Sequence, residues 1–255
     1  MKSSSESIRS RRAWILTVFA LASVIALGFV APIAQDPAYH AFADTRQIMG
    51  VANFWNVLSN LPFIVIGSVG LLRYRDLEFH SSRNAYLALC VGVLLVGFGS
   101  GWYHYAPSTG SLLWDRLPMT VAFMALFSML LDERVIVGKR SLTLLPLLIV
   151  GVAAALYWSW TESRGVGDLR PYALVQFLPM VMIPLILWMY ERRFLNGRHL
   201  VVALVFYTLA KVFEHFDAQV LGLLGVLSGH SIKHLVAAIA VYFVILAVPT
   251  KGARH

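Results

Sequence analysis

Charge is scarce in this sequence. Only 13% of its 255 residues are charged, whereas 58% are apolar. A soluble domain of this length carries about a quarter charged residues on its surface, so a soluble globular fold is excluded. Cysteine is nearly absent. The single Cys90 lies in an apolar run and has no partner for an intramolecular disulfide; a small core residue is its simplest role. Internal repeats and low-complexity linkers are also missing, and nothing is left over for a separate soluble domain.

What is abundant is apolar length. A bilayer core of about 30 Å needs roughly 20 apolar residues per helix. Runs of that order are predicted near 13–33, 53–72, 84–105, 112–131, 142–159, 171–190, 199–218 and 229–249. They are continuous rather than alternating, which favours helices over a barrel. The expected fold is all-α: a polytopic transmembrane bundle of about eight spans. Residues 1–12 read as a mobile basic segment, 13–33 as an additional N-terminal helix and 50–249 as a seven-helix core. The first run also has signal-peptide features, with small residues from Ala31 to Ala34, but its apolar stretch is long for that role and an uncleaved helix is expected.

The formal charge of +8 does not point to nucleic acid, because the basic residues fall in short clusters between spans. One set of loops holds Lys2, Arg9, Arg11, Arg12, Arg73, Arg75, Arg83, Arg134, Lys139, Arg140, Arg192, Arg193, Arg198, Lys251 and Arg254. The other holds only Arg46, Arg116, Arg164 and Arg170. The positive-inside rule then places both termini in the cytoplasm and requires an even number of spans. The short loops and basic N-terminus suit a bacterial inner membrane.

Ionisable groups inside spans are costly and face a partner or a cavity. Ser100 and His104 share a face near the end of the third span. Asp115 lies near the start of the fourth. His230 and His234 lie four apart at the start of the eighth. By the charge rule all five sit at one extracytoplasmic level. Two histidines at i and i+4 plus a third from another helix can hold one metal with an open position. Each has a plainer reading: histidines bonding to neighbours, Ser100 bonding to its own helix, Asp115 capping or pairing with Arg116. Lys211, Glu214 and Asp217 form a second polar stripe, read as an internal ion-pair cluster or as support for the histidines. His215 points elsewhere. Asp168 and Arg170 read as a loop salt bridge, and Trp102, Tyr103 and Trp114 as an interfacial belt.

Three segments carry a family resemblance. FWNVLSNLPF (54–63), GFGSGWYHYAPSTGSLLWDRLPM (97–119) and HSIKH (230–234) resemble the signatures of alkaline ceramidases, members of the CREST superfamily of membrane hydrolases together with the adiponectin receptors. The resemblance covers roughly residues 50–249. It implies Zn²⁺ held by His104, His230 and His234, with Ser100 and Asp115 at the remaining catalytic positions, and hydrolysis of a lipid amide such as that of ceramide. The family's seven spans leave the helix near 13–33 as an addition. The family also places acidic Ca²⁺ ligands ahead of its first helix. Here that stretch offers Asp44 but has Asn53 at an acidic position, so the Ca²⁺ ligand set is incomplete.

The expected partner is therefore a membrane lipid. The competing readings are a non-catalytic receptor or sensor with a structural zinc, and a transporter using the Lys211–Glu214–Asp217 stripe.

Overall fold

In lipid a backbone must satisfy its own hydrogen bonds, and the apolar runs do so as helices. The computed structural model describes residues 2–77, 82–136, 142–192 and 194–251, so Lys139, Arg140, Arg193 and Arg254 of the basic clusters lie outside the described residues. The helices are α1 (Lys2–Gly28), α2 (Phe54–Leu58), α3 (Leu61–Arg73), α4 (Arg83–Tyr105), α5 (Thr109–Leu130), α6 (Leu144–Ser163), α7 (Arg170–Met189), α8 (Gly197–His215), α9 (Asp217–Leu224) and α10 (Gly229–Leu246). No strand occurs among the described residues; there are only two isolated bridges. Among the described residues, seven spans are long and apolar enough to cross a membrane, and an eighth follows if the bent pair α8–α9 is one. The protein is an all-α polytopic bundle. Helix α1 runs back through the basic segment to Lys2.

Two predicted spans are interrupted. The run near 53–72 breaks at Ser59–Asn60, and Pro62 opens α3, where a missing N–H costs nothing. The run near 199–218 stops at Phe216, where α9 turns away by 82°. The Gly-rich stretch after it begins as helix α9, which ends at Gly225 in the left-handed region with φ 70°.

Helices α3, α4, α5, α6 and α7 pack in sequence, α10 lies between α8 and α3, and α1 leans on the outside against α7. Helices α7 and α8 touch only sparsely, which leaves a seam in the ring. Transmembrane helices associate through close packing more than through apolar burial, so small residues mark the tightest approaches. A Cβ on Gly99 would run into the Trp114 carbonyl, and one on Gly229 into the Phe213 carbonyl. These two contacts bring together the ends of α4 and α5 and of α8 and α10.

Candidate metal centre and its cavity

The end of α4, the start of α5 and the start of α10 meet at one end of the bundle. Each start is fixed locally. Ser108 caps α5 by accepting from Ser111 N–H, and Ser111 Oγ accepts from Ser108 N–H. Ser228 caps α10 by accepting from Ser231 N–H.

His104, His230 and His234 are brought together there. One ring nitrogen from each lies within 4.8 Å of the others, and all three rings are buried. His104 Nε2 and His230 Nε2 are 3.3 Å apart. Ligands at about 2.0–2.1 Å from a tetrahedral ion are themselves about 3.3 Å apart, so this spacing fits two imidazoles on one metal. The donor set is the right type for a borderline transition metal.

The rings are held from behind. Ser59 Oγ donates to the Asn56 carbonyl at 3.1 Å, which leaves it accepting from His234 Nδ1–H at 2.8 Å. That tautomer turns the Nε2 lone pair towards the cluster. Phe42 packs on His104 and His230 with ring centroids 4.7 Å from each. Asn53 donates to the His104 carbonyl at 2.8 Å, and Asn56 accepts from Ser231 Oγ at 2.7 Å. The His104 Nδ1 is buried without a hydrogen-bond partner among the described residues.

Ser100 and Asp115 share one wall of a cavity of about 380 Å³ that also reaches His234. From there the cavity follows apolar walls to Leu130 on α5 and Leu200 on α8. At about 1.5 Å per residue, this is roughly 20 Å along the bundle. Asp115 neither caps α5 nor pairs with Arg116; Ser108 is the cap, and no ion pair joins the two side chains among the described residues.

The expected stripe on α8 is corrected by the bend at Phe216. Asp217 leaves it and opens α9. Its Oδ1 accepts from His230 N–H at 2.7 Å and its Oδ2 from Ala43 N–H at 3.0 Å. It thus satisfies an unpaired donor at the start of α10 and ties the 29–53 segment to it. Lys233 takes its place: Glu214 accepts from Lys233 Nζ and Lys211 Nζ. Lys233 is a charge in a span, so the same rule that singled out the other residues applied to it. His215 meets Phe216 edge to face and stays out of the cluster.

The 29–53 segment lies over the site. His40 bonds Tyr103 Oη at 2.9 Å and Thr109 Oγ1 at 3.2 Å. Burial, and then the Arg116 charge, lower the His40 pKa from 6.5. Arg46 holds Asp44 at 2.6 Å and donates to the Gly225 and Val226 carbonyls. Its hydrogen bonds hold the Asp44 carboxyl below its usual 3.8, against burial. The two side chains weighed for Ca²⁺, Asp44 and Asn53, thus both bond to protein groups. The Asp168–Arg170 salt bridge is present at 2.8 Å. Trp102 and Trp114 are exposed, as a belt requires, but Tyr103 is buried because its hydroxyl finds His40.

The model of the family described as Ceramidase matches residues 46–251. The chain belongs to the ceramidase family. Membership makes it a membrane hydrolase that acts on lipid amides. Comparison with curated proteins returned no match. The matched stretch contains every residue of the histidine cluster, and α1 lies outside it.

Proposed function

We propose that this ceramidase-family protein is a zinc-dependent amidase that cleaves the amide of an N-acyl lipid, ceramide-like in build, inside the membrane. The observation that carries this is the cavity: it joins a buried three-histidine cluster and the Ser100–Asp115 pair to an apolar tube. A purely structural metal has no use for such a tube. One leaflet of hydrocarbon is about 15 Å deep, so a roughly 20 Å tube accepts one acyl chain with the amide at the polar end. The seam between α7 and α8 offers the chain a path from the bilayer.

His104, His230 and His234 would hold a Zn²⁺, which would supply Lewis acidity and lower the pKa of a water towards neutrality. The protein groups do the rest. Asp115 accepts the proton released as the carbonyl carbon is attacked and returns it to the departing nitrogen. Ser100 donates to the carbonyl oxygen as negative charge builds there. Phe42 and the 29–53 segment keep bulk water off the histidines. The charge rule supports a site on the extracytoplasmic side, with both termini in the cytoplasm.

The test is lipid analysis of membranes carrying wild-type protein or Asp115→Asn. Wild type should deplete an N-acyl lipid and release its fatty acid and amine, and the variant should not. Indistinguishable lipid profiles, with both proteins folded and present, would overturn the reading.

A further inference from the structure

The polar end of the cavity holds more positive charge than it uses. Its lining includes Arg116, Lys211 and Lys233 against Asp115 and Glu214, one cation in excess before any metal is added. The two lysines share Glu214 and are accounted for. Arg116 is not. It is only 6% exposed, and no carboxylate forms an ion pair with it among the described residues. Its Nη2 donates to Gln35 Oε1 at 2.6 Å, while its Nη1 is buried with no hydrogen-bond partner among the described residues.

The guanidinium is held in place by rings. Its carbon lies 4.1 Å from the Trp158 ring centroid, 4.7 Å from that of Tyr172 and 5.5 Å from that of Tyr39. Tyr39, Tyr172 and Arg116 all line the cavity. Aromatic faces orient a guanidinium and offset some of its burial cost, but they accept no full hydrogen bond from Nη1. A buried charge with an unmet donor is expensive. Glu162, the acid of α6, is engaged elsewhere through Oε1, which accepts from Gln35 N–H and Trp158 Nε1–H. A neutral headgroup could offer the Arg116 donor a hydroxyl or carbonyl oxygen but would leave the buried charge without a counter-charge. A planar or tetrahedral oxyanion would meet both needs with charge-assisted hydrogen bonds.

We infer that Arg116 determines substrate class by receiving an oxyanion, carboxylate or phosphate, on the amine portion of the N-acyl lipid. Resting on the amidase reading, this names the lipid it selects: an anionic N-acyl amine rather than a neutral one. The acyl chain fills the tube towards Leu130, the amide lies by Ser100, Asp115 and His234, and the anion sits beside Arg116. The excess charge of the lining is then neutralised by substrate.

Three probes share one acyl chain and one amide: N-palmitoylglycine, N-palmitoylethanolamine and the phosphate ester of N-palmitoylethanolamine. The metal-loaded protein should hydrolyse at least one anionic probe with a kcat/KM on the order of ten- to a hundredfold above the neutral one. Which anionic probe leads tells carboxylate from phosphate. Arg116→Gln should collapse that ratio towards unity, mainly through KM, and Arg116→Lys should restore part of it. Equilibrium binding to metal-free protein, where nothing turns over, should show the same order of affinities. Equal or better handling of the neutral probe by wild type, in turnover and in binding, would overturn the inference and leave the amidase reading standing. Turnover of no probe, with the anionic preference present in binding, would instead count against the amidase reading alone.

Discussion

Two buried arginines stand at opposite ends of the same helix, and they are used differently. Arg134 lies in the π-helical turn Leu131–Val135 that follows α5. Its Nε bonds Glu133 at 3.1 Å, its Nη1 the Tyr190 carbonyl at 3.1 Å and its Nη2 the Leu195 carbonyl at 3.4 Å. Every arm of that guanidinium is used within the fold. Arg116, near the start of α5, leaves one arm unused and faces a cavity. The one knits the connections after α5 and α7 together; the other is held ready. The same contrast runs through their surroundings. Around Arg134 the polar groups bond to each other, with Glu133 also accepting from the Phe194 and Leu195 backbones. Around Arg116 stand Gln35 and the rings of Tyr39, Trp158 and Tyr172, and it shares its cavity with Ser100, Asp115 and His234. Polar groups that a fold leaves unmatched at high cost mark where a ligand is expected.

The largest expected effect falls on the site end. Asp115→Asn should lower kcat by about 10²–10⁴-fold, with metal content and thermal midpoint close to wild type. A variant that loses metal along with activity would make Asp115 a structural group and break the contrast. At the other end, Arg134→Ala removes a buried ion pair and takes the donor from two carbonyls. It should cost about 3–5 kcal/mol of stability and leave KM as it was; chemical denaturation in detergent with parallel kinetics reads both.

How much of this was legible beforehand divides along the same line. Eight apolar runs and alternating loop charge suffice to lay out the bundle, because lipid forces helices on any run of that length. The gathering of Ser100, His104, Asp115, His230 and His234 at one end followed from the same count. The Gly-rich run 219–229 left a helix extension and a re-entrant bend both open, because it stays apolar and hydropathy does not register direction; the kink itself falls earlier, at Phe216. Asp217 therefore read as a neighbour of Glu214, when the kink sends it to the start of α10. The return of the 29–53 segment over the histidines is tertiary, so Phe42 and His40 carried no signal of their role. Arg116 was hidden by its position next to Asp115, where a surface ion pair is the simplest reading.

A smaller effect sharpens the description of the histidine cluster. Ser59→Ala removes the acceptor of His234 Nδ1–H and should weaken metal affinity about 10–100-fold, read by competition with a chelator. Unaltered affinity would mean that ring packing alone orients His234. The smallest effect concerns the loop clamp. The Asp44 carboxyl is held below its usual 3.8 by Arg46, so its folded pKa lies under the unfolded one. The clamp's contribution is complete above that value and is lost as pH falls below it. The thermal midpoints of wild type and Asp44→Asn should differ near neutral pH and converge below about pH 4.

The central claim is that three histidines from two helices hold the metal that does the chemistry. The direct measurement is metal content and N-acyl lipid hydrolysis on the same purified protein, for wild type and His230→Ala. Wild type should carry about one zinc per chain and release fatty acid, and the variant should lose both together. Wild-type protein stripped of metal that still hydrolyses the lipid at its full rate would contradict the account.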